Sequence, residues 1–423
     1  MLAPDKLLAV LLGTAVATGG LVQGIYWKNT GTPENSQTLL AQLRQARDEI
    51  DLLSRENESL RSLAQGGGTL HVDPEWIARV ESEFDLRFIS SPVVHRIAAE
   101  ELRNRISAAY ESGFGPAGID DRQEAYRRIG WLTADDDLLA QLTLSRSFNS
   151  LSWFDQVTGD AWVTDRFDPE EIPHQATLLH LLTRILLNQH FPPPPAYPGD
   201  DAARGREALH MGTAAGAESR YLAASARDMG FVPLTENIEA EQIITRLPPL
   251  IRGLRQFPLT EGKGLADSLF VQGNSTLHDA LRAAPQTTRA ILDPTPTPES
   301  LTLPATPEDP YLTESAGMLG LRLWLPPESA QLATHWTNDR YLLVPDGEMS
   351  TAVIWDIVLD SQQAADQLQT AALANIAARS GKPATLGTVS PTAENRLLRI
   401  SRPSPTRVRF LNAATESLCN TIP

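Results

Sequence analysis

HLLTRILLNQHF, residues 180–191, is the second half of a strongly apolar run that starts at His174. The run reads as a helix, ended by Phe191 and by the four prolines Pro192 to Pro195, which cannot carry a helix further. Just upstream, LSWFDQVTGDAWV (151–163) reads as a hairpin, with aromatic and β-branched arms flanking a Thr158-Gly159-Asp160 turn. Downstream, 207–229 is Ala-rich and helical.

The same reading extends outward in both directions. Asp73-Pro74-Glu75 starts a helix, with Pro74 in the first turn where its missing N–H costs nothing. Phe88 and Ile89 are expected to pair as strands with Val93 and Val94 around Ser90-Ser91-Pro92. Residues 98–110 and 138–144 read as helices. Residues 294–310, rich in Pro and Thr, read as a surface loop. Residues 341–344 and 351–358 alternate like paired strands around Pro345-Asp346-Gly347, and 396–400 with 407–411 form a closing hairpin. The sum is a helix-rich α+β domain over 71–423 with no internal repeat.

Residues 7–27 are apolar or small, about the length an α-helix needs to cross a bilayer. Tyr26 and Trp27 sit at interfacial depth, and Lys6 precedes the span. Residues 1–28 are therefore expected to be a signal-anchor, with the bulk of the chain on the extracytoplasmic side of a bacterial cell membrane. The alternative is a secreted protein whose signal peptide is cleaved. After a linker at 29–38, Leu39, Leu43, Ala46, Ile50, Leu53, Asn57, Leu60 and Ala64 are spaced alternately by four and three. Leucine at d with one Asn at a favours a parallel two-stranded coil, so 39–65 predicts a homodimer. A single amphipathic helix packed on the next domain is the other reading. The triplet Gly66-Gly67-Gly68 makes 66–70 a hinge.

The formal net charge of −16 disfavours nucleic acid and anionic lipid as partners. Cys419, the single cysteine, excludes an intrachain disulfide and any Cys-based zinc site. Gly-rich phosphate loops, GxSxG elbows, EF-hand loops and basic aromatic strips are all missing from the sequence, and Asp135-Asp136-Asp137 reads as solvated loop or helix cap.

Position by position, residues 180–191 resemble the HELTHALQDQHF segment of a family of bacterial and archaeal zinc metallopeptidases, gluzincin-like in character. Other segments resemble that family in the same order. The 151–163 hairpin is similar to GFYDPxTxxLYV, 208–214 (ALHMGTA) to ALVEGDA, and 257–271 to PYxxGxxFVxxL. Residues 287–294 are similar to STEQILHP, while 319–324 and 336–341 resemble LGxxGLRLxL and GWxxDRY. The resemblance implies a zincin-like fold, in which two histidines on one helix face hold zinc and a glutamate acts as base toward its water.

His180, Leu182, Thr183, Leu186, Gln189, His190 and Phe191 keep the family pattern. Leu181 stands at the glutamate, Arg184 at the second histidine and Met211 at the third ligand. Catalytic zinc needs three protein ligands. Arg184 would also repel the ion. At ~4 Å two unit charges repel by about 4 kcal/mol at an effective dielectric of ~20, and a divalent ion doubles that. The resemblance thus implies a pseudo-peptidase with no catalytic residues and no cofactor, its remnant cleft carrying His180, Thr183, Arg184, Gln189, His190, His210 and Met211. It would bind an unknown protein or peptide. Two alternatives stay open. One is an active zinc enzyme with non-standard ligands, His180 and His210 the candidates, although His174, six residues before His180, lies on another helix face. The other is a structural membrane spacer whose cleft is filled by Leu181, Arg184 and Met211. A buried Arg184 calls for a carboxylate partner, with Glu207 and Glu218 the candidates.

Overall fold

A computed structural model of the protein describes residues 68–115, 117–229, 238–293, 301–302, 306, 309–392 and 394–422. The expected membrane segment, linker, coiled coil and the first part of the hinge lie outside the described residues, as does most of the expected 294–310 loop. Among the described residues no helix is long and apolar enough to cross a membrane.

The order of elements is helix α1 (Pro74–Phe84), strand β1 (His95–Ile97), then α2 (Ala99–Ser112), α3 (Gly118–Ile129) and α4 (Leu138–Ser147). Strands β2 (Ser152–Phe154) and β3 (Ala161–Thr164) lead into the long helices α5 (Ile172–His190) and α6 (Asp200–Met229). Helices α7 (Ile238–Arg246) and α8 (Pro249–Gln256) follow, then a π-helical turn (Pro258–Gly262). Next come α9 (Lys263–Gln272), α10 (Asn274–Ala283) and the single turn α11 (Arg289–Leu292). The last part runs β4 (Leu312–Glu314), α12 (Gly317–Trp324), a 3-10 segment (Pro327–His335), β5 (Trp336–Pro345) and β6 (Thr351–Leu359). It closes with α13 (Gln362–Ser380), β7 (Ser390–Pro391), β8 (Leu397–Ser404), β9 (Arg407–Ala413) and α14 (Glu416–Thr421). The fold is α+β.

Two sheets organise it. The smaller has the order β1-β3-β2, with β3 parallel to β1 and antiparallel to β2, so β2 is an edge strand. The larger is antiparallel, with the order β4-β5-β6-β9-β8-β7. The expected hairpins fall where the alternation places them: Trp153 opposite Trp162, Pro345 opposite Thr351 and Leu397 opposite Ala413. Period-2 alternation sends Tyr341, Leu343, Val353 and Trp355 into the main core, and Leu342, Val344, Ala352 and Ile354 against Leu418 and Cys419 of α14.

A carboxylate ties sheet to helix. Buried Asp339 on β5 accepts from Ser315 Oγ (2.7 Å), the N–H groups of Ala316 (2.8 Å) and Gly317 (2.9 Å), and the indoles of Trp336 (3.0 Å) and Trp355 (2.8 Å). These five donors satisfy both oxygens of a carboxylate that is fully buried.

The predicted α5 holds and gains a proline start: Pro173 occupies the first turn, and Phe191 N–H closes on Leu187 O at 2.7 Å. Leu178, Leu179, Leu182, Leu186 and Leu187 are all nearly fully buried, each contributing roughly 1.5–3 kcal/mol of burial. Helix α5 packs on α6, α1 and β2. Helix α6 begins at Asp200, seven residues earlier than the Ala-rich stretch suggests, and is 30 residues long. A Cβ on Gly212 would overlap the backbone of Gly262, and one on Gly262 would overlap Ala208 O, so α6 and the π-helical turn meet backbone to backbone.

The strand pair expected at 88–94 does not form. Gln189 satisfies that backbone instead, its Oε1 accepting from Ile89 N–H (2.7 Å) and Ser90 N–H (3.3 Å) and its Nε2 donating to Ser90 O (3.0 Å). Ile89 and Val93 stay exposed. Asp136 and Asp137 are local caps: Asp137 Oδ1 accepts from Ala140 N–H at 2.8 Å and Asp136 Oδ2 from Thr133 N–H at 2.6 Å.

Candidate functional site

Helices α4, α5 and α6, the β2–β3 hairpin and the π-helical turn enclose a cleft of about 1070 Å³. Its walls include Trp153 and Phe154 of β2, Tyr110 of α2, Leu259 of the turn, and the run Pro193-Pro194-Pro195 that follows α5. At its floor α5 and α6 lie side by side, so residues one turn apart on each helix face the same space.

Arg184 on α5 is 5% exposed and pairs with Glu207 on α6, at 3.2 Å from Oε2 and 3.4 Å from Oε1. Of the two carboxylates weighed for it, Glu207 is the partner; Glu218 instead accepts from His180 Nδ1 at 3.0 Å. The Arg184 guanidinium also lies over the Phe154 ring, 5.2 Å from its centroid, a favourable cation–π placement.

A second cation joins from α4. Arg146 donates through Nε to Tyr110 Oη (3.3 Å) and through one terminal nitrogen to Met211 Sδ (3.2 Å), while the other is 3.9 Å from Glu207 Oε1. Two guanidinium groups therefore share one carboxylate, and one of them leans on a thioether, a weak acceptor. Burial works against the Glu207 carboxylate, yet Arg184 and Arg146 outweigh it and hold its pKa below the ordinary value. Burial likewise depresses Arg184, with Glu207 opposing and Arg146 adding to the fall.

His180, Leu181, Arg184 and Met211 thus line one cleft, as the resemblance implies. Thr183, Gln189, His190 and His210 are not among the described residues that line it. Thr183 Oγ1 donates to Leu179 O at 2.8 Å within its own helix. Gln189 serves the 89–90 backbone, and His190 Nε2 donates to Arg87 O at 2.7 Å. His210 is 1% exposed and its Nε2 has no hydrogen-bond partner among the described residues. Burial, with Arg184 and Arg206 adding to it, pushes its pKa down to about 3. His174 Nδ1 accepts from Asp168 N–H at 2.9 Å and so steadies the chain just before α5.

The residues at the expected ligand positions do not fit a zinc ion. Apart from His180, the ligand positions offer a guanidinium, Arg184, and a thioether already in contact with Arg146, Met211, while the base position holds Leu181. Among the described residues no three His, Cys, Asp or Glu side chains gather as a metal-holding group. Arg146 was not legible as part of this site: its partners are 36 and 65 residues away in sequence, and nothing in its own helix marks it.

Also lining the cleft, Asp200 anchors the start of α6. It accepts from Arg122 Nε (2.8 Å), Tyr126 Oη (2.9 Å), Tyr197 Oη (2.7 Å) and Tyr341 Oη (3.2 Å). Arg122 in turn reaches Glu314 at 2.8 Å. Arg204 also reaches Asp200 (3.5 Å) and Tyr126 Oη (2.6 Å), so two guanidinium groups meet two carboxylates in a hydrogen-bonded, rigid joint. Comparisons with protein families, with curated proteins and with solved structures find no match to this chain.

Proposed function

We propose that this chain is a pseudo-metallopeptidase, zincin-like in descent, that uses its cleft to bind or scaffold a protein or peptide on the extracytoplasmic face of a bacterial membrane. The N-terminal segment would anchor it and the heptads would pair it with a second copy. The resemblance of 180–191 and its flanking segments supports the descent. One observation supports binding over catalysis: the three positions that would carry ligand and base chemistry hold Leu181, Arg184 and Met211, and Arg184 is neutralised by Glu207.

The same geometry weighs against a mere spacer. Leu181, Arg184 and Met211 line the cleft and do not fill it, leaving about 1070 Å³ of space. A spacer has no use for an open cleft of that size, whereas concave sites lined by apolar side chains and a few polar groups are where ligands bind.

The test is metal analysis of the purified full-length chain, combined with a peptide-hydrolysis screen. The proposal expects zinc below roughly one-tenth of an equivalent and no cleavage, since a working site retains its ion through three ligands. Stoichiometric zinc with turnover abolished by a chelator would refute it.

A further inference from the structure

The cleft is basic although the chain is strongly acidic. Its lining carries Arg146, Arg166, Arg184, Arg204, Arg206 and Arg255, against Asp200 and Glu207 as the only acids among the described lining residues. The net charge of the whole sequence is −16. Basic side chains concentrated in one concave site of an acidic molecule focus a positive potential there and draw anions in.

The arginines are not equivalent. Arg204 is engaged by Tyr126 Oη and Asp200, at 2.6 and 3.5 Å. Arg206 donates to the carbonyls of Phe191 and Pro192, and Arg166 to Ser150 O at 3.4 Å. At the floor, Arg146 and Arg184 share Glu207. Arg146 is 18% exposed, and its closest acceptors are a phenol oxygen and a sulfur. A guanidinium offers a planar fork suited to two carboxylate oxygens, and this one has no carboxylate within hydrogen-bond distance. Burying two cations with one anion leaves a charge that a second carboxylate would cancel.

The surrounding walls say what else the ligand carries. Phe154, Trp153 and Leu259 provide apolar contact, and β2, an edge strand, runs along the cleft with Leu151 to Phe154 lining it. An edge strand takes an extended chain by backbone hydrogen bonding. Resting on the reading that the cleft binds and does not hydrolyse, we infer that it recognises a peptide segment bearing a carboxylate beside apolar side chains, with Arg146 as the principal carboxylate receptor and Glu207 as the internal group it competes with.

The experiment uses the full-length chain in detergent and three synthetic pentapeptides, each acetylated and built from leucine and phenylalanine around one central residue. The first has central aspartate and an amidated end, the second central asparagine and an amidated end, and the third central asparagine and a free carboxyl end. Calorimetric titration should show at least tenfold tighter binding of one or both carboxylate peptides than of the neutral one. The first and third peptides separate a side-chain carboxylate from a chain terminus. Arg146→Gln should cut that preference at least fivefold. Glu207→Gln should move the other way, tightening carboxylate binding and raising the ligand-induced shift in Tm, because the competing internal carboxylate is gone. A purely structural role for the pair would weaken binding in both variants, which would overturn the inference. Equal binding of all three peptides would overturn it too, while leaving the cleft a binding site. Cleavage of a peptide, seen by mass spectrometry, would instead sink the reading on which it rests.

Discussion

Arg184 and Glu207 face each other across two packed helices, 3.2 Å apart, and both belong to the floor of one cleft. Breaking such a pair from one side leaves an uncompensated buried charge, which costs about 3–5 kcal/mol in comparable settings. Arg184→Ala strands Glu207 with only the more distant Arg146, so it should lose stability in that range. Glu207→Leu leaves both Arg184 and Arg146 without their carboxylate, so it should cost more than Arg184→Ala. Urea unfolding of the two variants checks this. Equal losses would show that Arg146 gains nothing from Glu207.

The resemblance to zinc peptidases can be tested without any substrate. Leu181→Glu, Arg184→His and Met211→Glu together restore the ligand and base types at the three divergent positions. All three positions line the cleft that His180 also lines. The triple variant should bind about one equivalent of zinc, since a full ligand set at the right spacing holds the ion. Metal content after dialysis is the readout. Failure in a variant that remains folded by circular dichroism would argue that the backbone geometry is not that of the family.

Two buried groups give stability opposite dependences on pH. His210 is held at about 3 in the fold against an ordinary 6.5. The unfolded chain therefore binds more protons across that window, and stability falls as pH drops from about 6.5 toward 3. Asp201 runs the other way. Burial pushes it up to about 7 from 3.8, despite hydrogen bonds from Thr288 N–H and Oγ1 at 2.8 and 2.6 Å. The fold retains a proton that the unfolded chain releases, so stability falls as pH rises from about 3.8 to 7. Asp201→Asn should gain on the parent steadily over that interval. His210→Gln should show less acid sensitivity than the parent below pH 6.5. Denaturation midpoints measured at half-unit pH steps would reveal either slope, and parallel curves for parent and variant would remove the residue as its source.

Gly212→Ala should be among the more damaging single changes. Its Cβ would overlap the backbone of Gly262, which has no flexible side chain to swing aside. Helix α6 would have to shift away from the π-helical turn, at a cost of about 1–3 kcal/mol for overpacking. Because Glu207 and Met211 ride on the same helix, the shift should also lengthen the Arg146 contacts. Gly264→Ala, where an added Cβ meets open space, is the control.

Local signals carried far in the sequence. The period-2 alternation located both long hairpins, and the apolar run before four prolines located α5. Polar side chains that serve a distant backbone carry no such signal. Gln189 displaced an expected strand pair by bonding to residues 99 and 100 positions away, and no pattern within 88–94 announces that. The site was half legible for the same reason. His180, Leu181, Arg184 and Met211 follow from the resemblance to the zinc peptidases, and Glu207 was one of two carboxylates named as candidates for Arg184. Arg146 and the aromatic wall at Trp153 and Phe154 come from elements that meet α5 and α6 only in three dimensions.

The prolines beside the cleft bear on how tightly it can hold anything. Pro193, Pro194 and Pro195 form part of its wall, and each has its φ angle fixed by its own ring. That stretch of chain has little conformational freedom left to surrender when a guest arrives, so the entropic toll of complex formation falls mainly on the guest. Stiffening the incoming segment, for example by cyclisation, should therefore raise affinity more than any further tightening of the wall.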